Sequence, residues 1–401
     1  MNFKKVLAFM SIIFLVACNN ETATNLDSDV TTLTMWHYYT AAADELSYMV
    51  DRYNDENEHI QVELEFVPFD EIAKQLSIGV AGDVLPDIVM IDSVETAAFA
   101  SIGVLKDITD SVIASGEIDY FLPGPVESTQ VDGRYYGIPF EGNALALYYN
   151  EDIFAAADIG SVPETWDEVL EVSQKILDYD PSLTPFGMTA VRNEQSTFQF
   201  IPFLYSAGGT YDNLASEGSI KALSFVTELM NKGYMRQDFL NQDQDDIIQL
   251  FAAGNVAMMI NGPWAIPSIE QINFSIGNLP KDQEFTSVLG GANLAVIEGQ
   301  QAEQAVSFLE FFLEEENVRE FARRANLLPV RTDVLESDDW SNDPMFSRFI
   351  EPMQVAVPRG PSANWPAISE NIQLAIQRAL LGEATPEEAL QEAASKNEDL
   401  Y

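Results

Sequence analysis

The sequence predicts an α/β protein organised in two domains, and three observations lead there. Short β-rich runs alternate with helical periodicity from residue 31 onward, the pattern of a largely parallel sheet wrapped by helices on both faces. Hydrophobic residues make up 47% of the chain and aromatics 11%, enough for packed cores and too much for a disordered polypeptide. The length of 401 residues admits two to three domains at roughly 150 residues each, and two is the expectation taken forward.

Taken in order, residues 31–37 are β-rich, and residues 43–54 place Leu46, Met49, Val50 and Tyr53 on one helical stripe. Strict alternation over residues 60–67 puts Ile60, Val62, Leu64 and Phe66 on one face of a strand. Residues 69–80 read as helix, 87–91 as a buried strand and 94–101 as helix. Residues 137–150 (GIPFEGNALALYYN) break this rhythm with two short apolar runs around Glu141-Gly142-Asn143. Both a hairpin and a passage between lobes fit that pattern. Thr165 with Glu168 forms a capping box for a helix over residues 165–177. A strand is expected at 186–190, with helices near 195–206, 220–231 and 245–253. Residues 256–261 read as a strand ended by Gly262-Pro263, and Gly290-Gly291 precedes another at 293–297. Helices dominate from residue 302 to the end.

The charge balance excludes a major class of partner. With 64 Asp plus Glu against 20 Lys plus Arg, the formal net charge is −44, whereas nucleic acid requires a basic surface. Carboxylates spread along the whole chain read as a solvated surface suited to a saline or alkaline exterior, where screening removes self-repulsion. One cysteine, Cys18, and two histidines, His37 and His59, rule out a disulfide framework and a His/Cys metal cluster. No metal and no cofactor are expected.

Lys4 and Lys5 precede an apolar run over residues 6–17, interrupted only by Ser11. That run is too short to span a membrane, which takes about 20 residues, and has the form of a secretory signal core. Leu15-Val16-Ala17-Cys18 resembles the lipobox of bacterial lipoproteins, in which the signal is cut before a cysteine that then carries a lipid. Residues 1–17 are therefore expected to be a signal peptide. Residues 18–31 are expected to be a lipidated cysteine with a polar, flexible tether to a body held outside the membrane.

No G-x-S-x-G, P-loop, HExxH or strand-following Rossmann glycine fingerprint occurs in the sequence, which favours a binder over an enzyme. A glycosidase needs only two placed carboxylates, and among 64 acids a sequence search for such a pair has no power. Binding groups do cluster at expected strand ends, where open α/β sheets hold ligands. Trp36-His37-Tyr38-Tyr39, Asp92-Ser93, Glu141-Gly142-Asn143 and Asn261-Gly262-Pro263-Trp264 are such places, and Trp365 opens a helix after Arg359-Gly360-Pro361. Aromatic faces with carboxylates and amides suit a sugar, which presents apolar C–H faces and a fringe of hydroxyls.

Several stretches together carry a family resemblance: the lipobox, TLTMWHYYT, LPDIVMIDS, IGVLKDIT, GIPFEGNALALYYN, PETWDEV, FAAGNVAMMINGPWA and PRGPSANWPAIS. In this order they resemble extracellular solute-binding proteins of family 1, the maltose-binding-protein-like capture subunits of carbohydrate ABC importers. The resemblance implies a periplasmic-binding-protein-like type II fold, two α/β lobes around a cleft with strand crossings as hinge. Lobe boundaries at 32–141 plus 291–335 and at 142–290 plus 336–401 follow from it. It also implies a monomer anchored through Cys18 that binds a di- or oligosaccharide and delivers it to the permease subunits. A polyol or glycerol-phosphate ester in the same fold is the alternative ligand, and a secreted glycoside hydrolase the alternative class.

Carried over by position, Trp264 and Trp365 match sugar-stacking tryptophans. Trp36 and His37 match a first-lobe contact loop, with a hydrogen-bonded core residue as the other reading of His37. Asp92, Glu141 and Asn143 match polar contacts. Arg359 is either a donor to ligand or a salt-bridge anchor. Gly209 and Gly291, with their neighbours Gly208 and Gly290, are expected where backbone approaches the cleft.

Overall fold

The computed structural model describes residues 30–82, 84–360 and 362–401. The expected signal segment, Cys18 and most of the tether lie outside the described residues. The strands, in chain order, are β1 (Thr31–His37), β2 (Ile60–Phe66), β3 (Ile88–Asp92), β4 (Gln130–Val131), β5 (Arg134–Tyr135), β6 (Ile138–Asn143) and β7 (Ala146–Asn150). They continue as β8 (Thr184–Gly187), β9 (Val256–Asn261), β10 (Phe274–Gly277), β11 (Ser287–Val288), β12 (Gly290–Val296) and β13 (Ala356–Val357).

Two main sheets result among the described residues. The first has the order β2-β1-β3-β12-β6 and the second β10-β7-β9-β8. In the first, β1 pairs in parallel with β2 and β3, but β12 runs antiparallel to both β3 and β6. In the second, only β8 with β9 is parallel. The sheets are thus mixed rather than largely parallel. The βα rhythm dictates parallel pairing only where each strand is followed by its own helix, and β12 instead returns from the other body.

Residues 137–150 pass between sheets. β6 ends at Asn143 in the first sheet and β7 begins at Ala146 in the second, so the segment is a crossing and not a hairpin. Fully buried Ala144 and Leu145 make the step. Ser287 stitches the returning segment to it: the Leu145 N–H donates to Ser287 Oγ (2.9 Å), which donates to the Leu145 carbonyl (2.8 Å). A third segment joins through β11 and β13, and the Leu289 N–H donates to the Val357 carbonyl at 2.8 Å.

Each body has its own core. On β1 the pleat sends Leu33 and Met35 to one face, where they pack with Leu46, Met49 and Val50 of the helix Ala43–Glu56. Trp36 goes to the other face, against Ile72 and Leu76 of the helix Phe69–Gly82. The second body packs the helices Trp166–Tyr179, Glu194–Ser206 and Glu217–Asn231 on its sheet. The C-terminal helices Trp365–Leu380 and Pro386–Asn397 join that same core through Ile368, Ile372, Ile376 and Leu390. The capping box at Thr165 and Glu168 is formed, with the helix starting at Trp166. Among the described residues no helix is long and apolar enough to cross a membrane.

Candidate functional site

A cavity of about 530 Å³ opens between the two sheets, within the range of small-molecule sites. The first body lines it with Tyr38 to Ala42 just past β1, Asp92 at the end of β3, Glu141 and Asn143 on β6, and Gly290 and Gly291 opening β12. Phe66, Phe69 and Asp70 flank that wall. The second body contributes Glu194, Gln195 and Phe198 from one helix, Asp243 to Asp245 with Gln249 from another, and Trp264 with Pro267 and Ser268. Arg359, two residues past β13, closes the floor.

Arg359 is the electrostatic centre. Its Nη1 and Nη2 donate to both carboxylate oxygens of Asp92, at 3.0 and 2.8 Å, and Nη1 also donates to Glu194 Oε1 at 2.6 Å. The guanidinium lies 4.5 Å above the Phe198 ring, a cation–π contact. Burial works against its charge, but Asp92 and Glu194 more than compensate and hold it firmly protonated. Of the two roles open from sequence, salt-bridge anchor is the one the geometry displays.

Glu194 is itself held by the Trp365 indole N–H (3.1 Å) and the Ser369 hydroxyl. Trp365 is fully buried and does not border the cavity. It was expected as a stacking surface. Pro366 and the first turn of its helix instead seat the ring inside the second core, edge-on to Tyr211 at 5.3 Å.

Trp36 and His37 also stand away from the cavity. The Trp36 indole N–H donates to Glu65 Oε2 at 3.0 Å, its registered neighbour on β2. His37 is buried edge-on to Phe66 at 5.9 Å, and burial lowers its pKa. Both are strand residues whose directions the pleat dictates. The cleft is lined by Tyr38 and Tyr39, where the strand has ended.

Gly209 lies elsewhere. A Cβ there would meet Ser219 Oγ at 2.5 Å, so this glycine permits close packing on the helix Glu217–Asn231. Gly291 does border the cavity, at φ +148°, and a Cβ there would strike the Glu141 carbonyl oxygen at 2.2 Å. Only glycine lets β12 approach β6 at this point.

Trp264 borders the cavity and lies 6.3 Å from the Phe198 ring, tilted by 32°. Gly262 makes that possible, because a Cβ there would lie 2.0 Å from the indole. Asn143 also borders the cavity, and its buried Oδ1 has no hydrogen-bond partner.

Sequence reasoning passed over Glu194, Phe198 and the segment around Asp243. Both acidic positions sit at helix starts preceded by a capping residue, Asn193 for Glu194 and Asp243 itself for the helix Gln244–Ala252. That capping signal marks where a helix begins, but not toward what it points.

Two acids here have strongly shifted pKa values. Burial pushes Glu141 up to about 7, Asp92 adding to the rise while Tyr39 and Asn143 oppose it. Burial likewise pushes Glu95 up to about 8, aided by Glu194 and Asp92 and opposed by Arg359. Both carboxyls bind a proton more tightly folded than unfolded, so their contribution to stability is complete below about pH 4.5 and is lost as pH rises toward 7 and 8. The unligated melting temperature should therefore fall between pH 5 and pH 8. Glu141→Gln and Glu95→Gln should each flatten that fall, and slopes equal to the parent protein in both variants would contradict the assignment.

With this geometry in hand, the comparisons with known proteins are direct. Residues 48–347 match the family model described as bacterial extracellular solute-binding protein. The maltotriose-binding protein of Pyrococcus abyssi is 26% identical over 337 residues, covering 80% of this chain and 71% of that protein. An ABC transporter solute-binding protein from Thermotoga lettingae, solved with alpha-D-tagatose bound, superposes with a TM-score of 0.86 at 28% identity, covering 92% of this chain and 100% of that one. The GacH receptor of Streptomyces glaucescens, solved unliganded and with acarbose, gives a TM-score of 0.85 at 25% identity, covering 92% and 98%. Two α/β bodies, strand crossings between them and a cleft at the crossing thus coincide with a matched family model, and the chain belongs to the bacterial extracellular solute-binding protein family.

Proposed function

We propose that the protein captures a carbohydrate outside the cytoplasm and hands it to an ABC permease for import. The observation that carries this reading is the pairing, across one cleft, of an aromatic wall at Trp264 and Phe198 with carboxylates and an amide at Asp92, Glu141 and Asn143. A pyranose needs both, stacking for its C–H face and acceptors for its hydroxyls. Relatives that bind maltotriose, tagatose and acarbose support the same class. The family and these relatives are binding proteins, and binding with hinge closure is the activity proposed here. One chain completes the cavity, in keeping with a working monomer.

Ligand between the bodies gains contacts from both, so it favours the closed arrangement by its differential affinity for it. The crossings at residues 143–146, 287–290 and 356–357 are the segments that bend.

The finer address rests on sequence. Lys4, Lys5, the apolar run and Leu15-Val16-Ala17-Cys18 support cleavage before Cys18 and lipid attachment to its thiol. Cys18→Ser should release the protein from membranes or leave it unprocessed. Mass spectrometry finding a free Cys18 thiol on the cell-bound form would contradict the anchor.

A thermal-shift screen over neutral mono-, di- and oligosaccharides tests the binding reading, because a ligand of the folded state raises the melting temperature by mass action. No shift with any sugar would overturn it. The two tryptophans then separate by role. Trp264→Ala should weaken the best sugar by about 2 kcal/mol or more, roughly thirtyfold, at little cost to the unligated fold. Trp365→Ala should instead cost about 3–5 kcal/mol of stability. Unchanged affinity in Trp264→Ala would remove that residue from the site.

A further inference from the structure

The charged groups that line the cleft are almost all acidic. Its walls hold Asp70, Asp92, Glu141, Glu194, Asp243 and Asp245 against one cation, Arg359. Its two terminal nitrogens are already engaged by Asp92 and Glu194, while its buried Nε has no partner. Among the described residues, Asp70, Glu141, Asp243 and Asp245 have no ion-pair partner. They face the cavity from both sides: Asp70 in the first turn of the helix Phe69–Gly82 and Glu141 on β6, Asp243 and Asp245 at the start of the helix Gln244–Ala252.

A separate observation points the same way. Asn143 borders this cavity, is only 7% exposed, and has a buried Oδ1 without a partner. An amide oxygen only accepts, so whatever completes it is a donor.

Resting on the carbohydrate reading above, we propose that the cleft prefers a cationic sugar, one bearing a protonated primary amine in place of a hydroxyl. An ammonium brings three donors and no acceptor. Its charge is attracted by carboxylates that lack a counter-ion. Trp264 and Tyr38 at the cavity wall supply aromatic rings of the kind that attract a cation. A neutral hydroxyl in the same place gains no such charge attraction, and a phosphate ester brings repulsion.

The test is calorimetric titration of the protein with matched disaccharide pairs, α- and β-1,4-linked, differing only by an ammonium for a hydroxyl at C2, below the amine pKa. The amine-bearing member should bind at least about tenfold more tightly, worth about 1.4 kcal/mol. In the D70N/D243N variant that preference should shrink to within about threefold. Asn serves as well as Asp at the N-cap Asp243, and Asp70 is an exposed first-turn residue, so the unligated melting temperature of the variant should stay close to the parent's. Neutral members binding as tightly as their amine partners, or a preference unchanged in D70N/D243N, would overturn this inference while leaving the carbohydrate reading standing. Failure of every sugar, neutral or amine-bearing, would remove both.

Discussion

One buried guanidinium ties the molecule together at its functional centre. Arg359 lies on the third segment linking the bodies, Asp92 ends a strand of the first sheet, and Glu194 starts a helix of the second body. A buried ion pair is weak evidence for net stability, because desolvation offsets attraction, yet removing one partner costs about 3–5 kcal/mol by stranding a charge. Its effect is on geometry. Trp365 and Ser369 anchor Glu194 from behind, and Phe198 lies beneath the guanidinium and beside Trp264. The aromatic wall and the acidic wall are thereby held in register around one cavity.

The same arrangement explains why this cleft is acidic in a particular way. Asp92 and Glu194 are occupied by Arg359, which leaves Glu141, buried near Asp92, without a counter-charge. Burial raises its pKa, and the Asp92 carboxylate adds to the rise. The overall charge of −44 is a surface property shared along the chain, whereas the carboxyls of the cleft are few and placed by helix starts and strand ends.

How far the sequence disclosed this depends on which residue is asked. Periodicity located β2 and the helix Ala43–Glu56 almost to the residue, while β1 was legible as a β-rich run and β9, buried at every residue, as an apolar run closed by Gly262-Pro263. β8 begins at Thr184 where 186 was expected, since its buried residues TPFG alternate with nothing. Family-like motifs drew attention to Trp264, Asp92, Glu141 and Asn143, all of which border the cavity. They drew it equally to Trp36, His37, Gly209 and Trp365, which do not. Pleat direction decides Trp36, and the seating of a helix N-terminus decides Trp365. Both are tertiary facts that a motif does not encode. Glu194 escaped notice for the opposite reason: its role arises from a partner 165 residues away, and no local pattern announces such a meeting.

The central claim is that both bodies grip one sugar in this cleft, and hydrogen exchange of backbone amides with and without a saturating sugar tests it most directly. The account predicts slower exchange at residues 38–42, 141–143 and 290–291 of the first body together with residues 244–249 and 264–268 of the second. Protection confined to one body, or appearing only at segments outside the cleft, would contradict it.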